Sequence, residues 1–158
     1  RGDKPTMTVT PRTPRQRKLD ALRRFEQDVD AWVATADPET GAPYLVPLSV
    51  LWDEAAFLLA TPAASRTGRN LQATGDVRLG IGLVRDVVLV DGRATALPLA
   101  DVPSEIADAF AAKTGFDPRQ LATEYLYFRI LPRRIRAWRE ADELDGRELM
   151  RDGRWLVS

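Results

Sequence analysis

The chain contains no cysteine and no histidine. Without cysteine there is no disulfide framework, no thiolate nucleophile and no cysteine-ligated metal. Without histidine there is no Ser-His-Asp triad, no histidine-ligated zinc and no proximal histidine for haem. No metal site is expected. No apolar run approaches the roughly 20 residues that cross a bilayer, and no hydrophobic stretch with a cleavage site marks a secretory signal. A cytoplasmic location is the expectation. Excess charge is missing too. The 23 basic residues balance the 23 acidic ones, so nothing global favours nucleic acid or a membrane as partner. Chemistry is left to carboxylates, Lys, Arg, Tyr, hydroxyls, backbone dipoles or an organic cofactor, which carries reactions that side chains cannot.

What is present fits one domain with a real core. The 158 residues are 44% hydrophobic and 29% charged, ordinary values for a globular protein. The stretch that organises the rest is Ala60 to Leu71, ATPAASRTGRNL. It follows an apolar strand, turns through small and hydroxyl residues and opens a short helix. Thr61, Ser65 and Thr67 supply hydroxyls, Arg66 and Arg69 guanidiniums, and Asn70 a side-chain amide. Amides at a helix start face a ligand, the macrodipole favours negative charge there, and Arg reads phosphate oxygens in pairs. The stretch reads as a phosphate site. The competing reading is a polar loop with solvated arginines.

Residues 1–6 (RGDKPT) read as a remnant ahead of a natural start at Met7, and residues 1–12 as a loose segment before one domain over 13–158. Thr13, Pro14 and Gln16 form a helix entry with a capping box. A helix over about 14–28 follows, its stripe Leu19, Leu22, Phe25 and Val29 and its basic residues a solvated face. Strands are expected over 31–36, 44–52, 56–60, 77–84 and 87–97, with the 61–67 loop and a helix over 68–74 between the third and fourth. Pro47 cannot donate to a ladder; a ligand, a second subunit, an edge position or a bulge each accounts for it. Gly80 and Gly82 share one strand face, which suggests close approach by a backbone or a ring, and Gly92 suggests a bulge. A helix from 101 or 102 to 113, a brief one near 117–120, strands over 125–131 and 134–138, an acidic loop over 140–146 and a final hairpin at Asp152-Gly153 complete the chain. The whole reads as mainly β with flanking helices, six to seven strands and about four helices. Meanders of this kind close into small barrels to remove their edges.

The order of these parts resembles the FMN-binding split barrel of the pyridoxamine 5′-phosphate oxidase-like superfamily, which includes deazaflavin (F420) members. The resemblance covers about residues 18–158. It implies that the second-strand backbone, Val46, Pro47, Leu48, Ser49 and Val50, lies along the flavin ring. It implies that Thr61 sits near the cofactor phosphate and that Ser65, Arg66 and Thr67 match the family's Ser-Arg-Lys grip. Thr67 stands where the family has Lys, and Arg69, two residues on, is placed to replace that charge; Asn70 follows in the same helix. The family's late Phe-Trp matches Ala137-Trp138, and a flavin-contacting Arg matches Arg147. The resemblance also implies a homodimer with the cofactor at the subunit interface, Trp138 and Arg147 coming from the partner chain.

The family's vitamin B6 oxidases carry an Arg-x-His for their substrate, which a chain without histidine cannot have. The expected function is therefore an FMN- or F420-dependent oxidoreductase acting on a small molecule other than pyridoxamine 5′-phosphate. FMN stands first on superfamily breadth; an Arg-rich groove of Arg66, Arg69, Arg78 and Arg85 would favour the anionic tail of F420. Ser49 and the amides of Leu48 and Val50 are candidates to meet the ring edge. No catalytic residue is identified; Tyr44 is a possible acid or base, although an aromatic in a half-buried strand is more often core. The alternative is a dimeric split barrel that binds cofactor without turnover or binds none.

Overall fold

The computed structural model describes residues 10–158, so the expectation for residues 1–9 lies outside the described residues. Helix α1 (Pro14–Gln27) starts as its sequence dictates: the Thr13 hydroxyl accepts the Gln16 amide at 3.1 Å, and Pro14 occupies the first turn. Only half of the capping box forms, because the Gln16 side chain donates forward to Asp20 at 2.8 Å. The buried stripe is Arg17, Ala21 and Phe25, spaced by four, while Leu19 and Val29 are exposed. The basic residues are thus not simply a solvated face. Arg17 is buried, and its guanidinium donates to the carbonyls of Glu143 at 2.8 Å and Asp145 at 3.1 Å.

The sheet holds strands β1 (Asp30–Ala36), β2 (Pro43–Ser49), β3 (Leu51–Trp52), β4 (Phe57–Pro62), β5 (Asp76–Leu83), β6 (Asp86–Pro98) and β7 (Tyr125–Trp138). All pairs are antiparallel, in the order β2-β1-β5-β6-β7-β4-β3. A hairpin of β8 (Glu148–Arg151) and β9 (Arg154–Trp155) hangs on β7. The two edge strands, β2 and β3, are consecutive in sequence and separated only by Val50. A sheet whose opposite edges are joined by one residue must curl until they meet. The result is a barrel split between β2 and β3, and Pro47 sits on that open edge, where its missing N–H costs no central ladder bond.

Inside the curl, Phe25, Trp52 and Phe57 pack with ring centroids 4.7 to 5.0 Å apart. Val33, Leu59, Leu79, Ile81, Val90 and Ile130 fill the rest of this interior and are all nearly or fully buried. A second core lies on the other side of β4 and β7, under helix α3 (Ser104–Thr114), where Phe110 meets Tyr127 edge-on at 5.6 Å. Strand β4 is accordingly buried on both faces, with Phe57 and Leu59 facing one core and Leu58 and Ala60 the other. Short 3-10 turns at Leu99–Asp101, Pro118–Gln120 and Ala141–Glu143 replace the expected start of α3, the brief helix and part of the acidic loop.

Two expected strands, 125–131 and 134–138, are one strand, β7. Pro132 does not end it because the ladder is already broken there. Gly92 pairs with Pro132 and Asp91 with Arg134, so Arg133 is an extra, bulged residue. A Cβ on Gly92 would lie 2.7 Å from a methyl of Ile130, so the bulge needs glycine opposite it. The final hairpin turns through Asp152 and Gly153, both at positive φ (52° and 77°), as a tight two-residue turn requires.

Candidate cofactor site

The stretch that organised the sequence forms the turn from β4 into helix α2 (Arg66–Thr74). Ser65 is its N-cap: its hydroxyl accepts the Gly68 amide at 3.0 Å and donates to the Pro62 carbonyl at 2.8 Å. Thr61 and Ser65 meet hydroxyl to hydroxyl at 3.2 Å. A Cβ on Gly68 would sit 2.3 Å from the Pro62 carbonyl oxygen, so only glycine lets the helix start fold this tightly onto the loop. Ser65 satisfies the amides of Gly68 and, through its carbonyl at 2.9 Å, Arg69. Among the described residues the amides of Arg66 and Thr67 have no partner, and they are the donors an anion at this helix start would meet.

Arg66 and Arg69 are exposed and form no ion pair within 4 Å among the described residues. Arg66 lies over the Tyr44 ring at 5.3 Å, a cation–π contact that ties the loop to the start of β2. Asn70 turns inward, where its amide donates to the Thr35 hydroxyl at 3.1 Å, both residues being buried. Thr67 is buried as well. A cavity of about 410 Å³ is lined by Arg66, Arg69 and Asn70 on one side and by Asp37, Pro38 and Glu39 of the β1–β2 turn on the other. The Asp37 carboxylate accepts the amides of Glu39 and Thr40, each at 2.9 Å. These bonds, with a smaller contribution from Arg66, hold its pKa below the ordinary value. Asp37 and Glu39 join the candidate site from between the first two strands. No local pattern marks them; strand pairing brings them to α2.

The β2 residues stand at the free edge of the sheet, with Val46 opposite Val33, Pro47 opposite Trp32 and Leu48 opposite Ala31. Ser49 donates its hydroxyl to Asp30 at 2.7 Å, and the Val50 amide donates to the Val29 carbonyl at 2.8 Å. Those two groups are thus already engaged within the chain. Trp138 and Arg147 lie elsewhere, stacked on each other at 5.9 Å, and Arg147 donates to the Leu144 carbonyl at 3.4 Å. Trp138 lines an apolar hollow of about 430 Å³ on the outer sheet face with Trp32, Leu45, Gly80, Leu83 and Val84. Leu83, Leu45 and Trp32 are 67%, 58% and 54% exposed there, a wide uncovered apolar patch. The structure thus gathers Thr61, Ser65, Arg66, Thr67, Arg69, Asn70 and the start of β2 in one place, with Trp138 and Arg147 in another.

A curled antiparallel sheet open between β2 and β3, with a hydroxyl- and arginine-lined turn into α2, defines a split barrel. The family model for pyridoxamine 5′-phosphate oxidase matches residues 19–139, and the chain belongs to this family. Solved structures with the same fold include an FAD-binding protein from Mesorhizobium loti, 21% identical, covering 75% of this chain and 89% of that one with a TM-score of 0.59. An F420 reductase is 15% identical over 72% of this chain and 93% of its own, TM-score 0.59. The haem storage protein HutZ from Vibrio cholerae is 16% identical over 75% and 92%, also at 0.59. Comparison with curated proteins finds no match.

The donor set fits a phosphate: the guanidiniums of Arg66 and Arg69, with no carboxylate bonded to them, and the free amides of Arg66 and Thr67 lie at one helix start, while the Thr61 and Ser65 hydroxyls are engaged with each other and with the Pro62 carbonyl. It does not offer an imidazole or thiolate ligand to haem iron, because histidine and cysteine are absent from the chain. Among the described residues no group of three or more acidic side chains is placed to hold a metal, and no helix is long and apolar enough to cross a membrane.

Proposed function

We propose that this chain is an oxidoreductase that binds a flavin or deazaflavin through its phosphate at the start of α2 and acts on a small organic molecule. The observation that carries the reading is the start of α2, where the Arg66 and Thr67 amides have no partner and the Arg66 and Arg69 guanidiniums have no carboxylate bonded to them. When bound, the cofactor supplies a ring that accepts or donates a hydride. Ser65 and Arg66 would hold its phosphate, with Arg69 supplying the charge that Thr67 lacks. The free edge of β2 from Val46 to Leu48 would align the ring. Family membership does not extend to turnover of pyridoxamine 5′-phosphate here, because no histidine is available for that substrate.

FMN is placed ahead of F420. Arg78 is already bound to Asp91, and Arg85 to Glu140 at 2.9 Å, so the wider basic groove that an anionic tail would use is neutralised. A homodimer is part of the proposal, its support being the uncovered apolar face around Trp32, Leu83 and Trp138. Across that face the partner's Trp138 and Arg147 would complete the ring site. A second reading, a binding protein without turnover, is favoured by one feature: the buried Thr67 where the family has a cation.

Titration of cofactor-stripped protein with FMN and with F420, followed by ring fluorescence, tests the proposal. Micromolar or tighter binding of FMN is expected. Binding of neither cofactor overturns it, and tight binding without reductase activity across donors selects the second reading.

A further inference from the structure

A cavity of about 520 Å³ opens at the opposite end of β4 from the α2 turn, where the β3–β4 turn, the β7 bulge and the β8–β9 hairpin come together. Its apolar lining includes Trp52, Leu131, Met150 and Trp155. Both tryptophan rings are held by neighbours. Trp52 packs on Phe25 at 5.0 Å and on Phe57 at 4.7 Å, and the Lys18 ammonium sits 4.6 Å from the centre of Trp155. Four charged side chains line the same cavity: Glu54, Arg133, Asp152 and Arg154. Among the described residues none of the four has an ion pair or a side-chain hydrogen bond. Their neighbours are engaged. Arg134 donates to Glu148 at 2.7 Å, Arg151 pairs with the same Glu148, and the Asp53 carboxylate accepts the Ala55 and Ala56 amides at 3.2 and 2.8 Å. The cavity thus keeps two unspent cations and two unspent anions beside an aromatic wall.

The backbone is shaped to hold these groups there. Glu54 and Asp152 are the two non-glycine residues with positive φ among those described, at 74° and 52°. Asp152 suits its Asp-Gly turn, but Glu54 opens a two-residue turn at a position that favours glycine. Arg133 is the residue that the bulge inserts, and its carbonyl accepts the Gly153 amide at 2.8 Å, which ties the hairpin to the bulge. Strained residues and bulges of this kind collect at ligand sites. We infer that this cavity is a ligand site separate from the proposed cofactor site, and that it takes a free α-amino acid with an aromatic side chain. Arg133 and Arg154 meet its carboxylate, Glu54 and Asp152 its ammonium group, and Trp52 and Trp155 wall its ring. A zwitterion answers both sets of charges; a simple anion or cation leaves one set facing a like charge or nothing. The inference goes beyond the flavin reading and does not rest on it.

The test is isothermal titration calorimetry on the full chain, with no flavin added. The probes are L-phenylalanine, N-acetyl-L-phenylalanine, which lacks the ammonium, and L-phenylalaninamide, which lacks the carboxylate. L-phenylalanine is expected to bind with a sub-millimolar dissociation constant and each analogue at least about tenfold more weakly. Glu54→Gly should weaken L-phenylalanine by about tenfold and yet raise the urea midpoint, because glycine takes a left-handed backbone without strain. Arg133→Gln should weaken it by a similar factor with the urea midpoint unmoved. Absence of binding at millimolar L-phenylalanine, equal binding of the three probes, or unchanged affinity in both variants overturns the inference and leaves the cofactor proposal standing. A fall in the Glu54→Gly midpoint overturns the part given to Glu54, since that side chain would then serve the fold.

Discussion

Arg12 and Arg66 carry the same guanidinium into opposite surroundings. Arg12 is 10% exposed and grips Glu143, itself 3% exposed, through three bonds: its amide at 2.8 Å, Nε at 3.0 Å and a terminal nitrogen at 2.7 Å. Asp20 takes another of its hydrogens at 3.1 Å, and Arg139 donates its amide to the same Glu143 carboxylate at 2.9 Å. Arg66 stands in water over a tyrosine ring with no carboxylate bonded to it. In the first region every charge is consumed within the chain, and the arginine behaves as a structural bolt. In the second the charges are left over, and leftover cations beside open amides are free to meet the proposed ligand. Where an arginine points matters less than what has already claimed it.

The largest expected effect breaks the first region. Glu143→Ala leaves Arg12 partly buried without its main partner and should cost about 3 kcal/mol of unfolding free energy, read by urea denaturation. The same pair sets an acid limit. Arg12 holds the Glu143 carboxyl at about 2 against an ordinary 4.5. A folded-state value below the unfolded one means that this stabilisation is whole above about 4.5 and is lost as pH falls through about 2. Unfolding midpoints of the wild type should therefore drop over that window, and Glu143→Ala should flatten that part of the profile.

The second region is broken from the ligand side. Arg66→Ala and Arg69→Ala should each weaken FMN binding by roughly 1.5–3 kcal/mol, the range for a hydrogen bond to a charged group. Arg69→Ala should match the wild type in urea, and Arg66→Ala should lose no more than about 1 kcal/mol, the range of an exposed cation–π contact such as that with Tyr44. Equal losses of stability and affinity would erase the distinction between the two regions. A smaller effect concerns the apolar face: Leu83→Asp puts a charge on a residue 67% exposed in the single chain. It should leave the folded chain intact and shift sedimentation from dimer toward monomer at micromolar concentration. Smallest of all, Arg93→Ala removes an ion pair with Asp76 whose members are 61% and 72% exposed. Its effect on stability should stay within about 0.5 kcal/mol, and a larger one would mean that exposure is a poor guide to which arginines matter.

Much of the architecture was legible because it is written locally. Thr13 and Pro14 announce α1, Gly75 and Gly115 stop α2 and α3 in the left-handed conformation, and Asp152-Gly153 turns the last hairpin. The capped turn into α2 was legible for the same reason, since its cap, hydroxyls and cations lie within a dozen residues. What escaped is non-local. Pro132 looked like a strand break because its compensation, the glycine at position 92, lies 40 residues away across the ladder. Residues 140–146 read as an acidic loop, yet Glu143 is buried because Arg12, from the other end of the chain, joins the nearby Arg139 amide on its carboxylate. Asp37 and Glu39 joined the site only through the pairing of β1 and β2. Periodicity records which face of an element is apolar; it does not record which distant partner will neutralise a charge.

The grip of Arg12 on Glu143 spans 131 residues of sequence, and Lys18 reaches the Val157 carbonyl across 139 at 3.0 Å. Contacts of such separation cannot form until the strands between them are assembled, because the loop they close is nearly the whole chain. They are expected to form on the native side of the folding barrier, which unfolding and refolding rates of Glu143→Ala would test. Their strength is therefore felt in how slowly the molecule comes apart and hardly at all in how quickly it forms, so this clasp sets the protein's lifetime more than its birth.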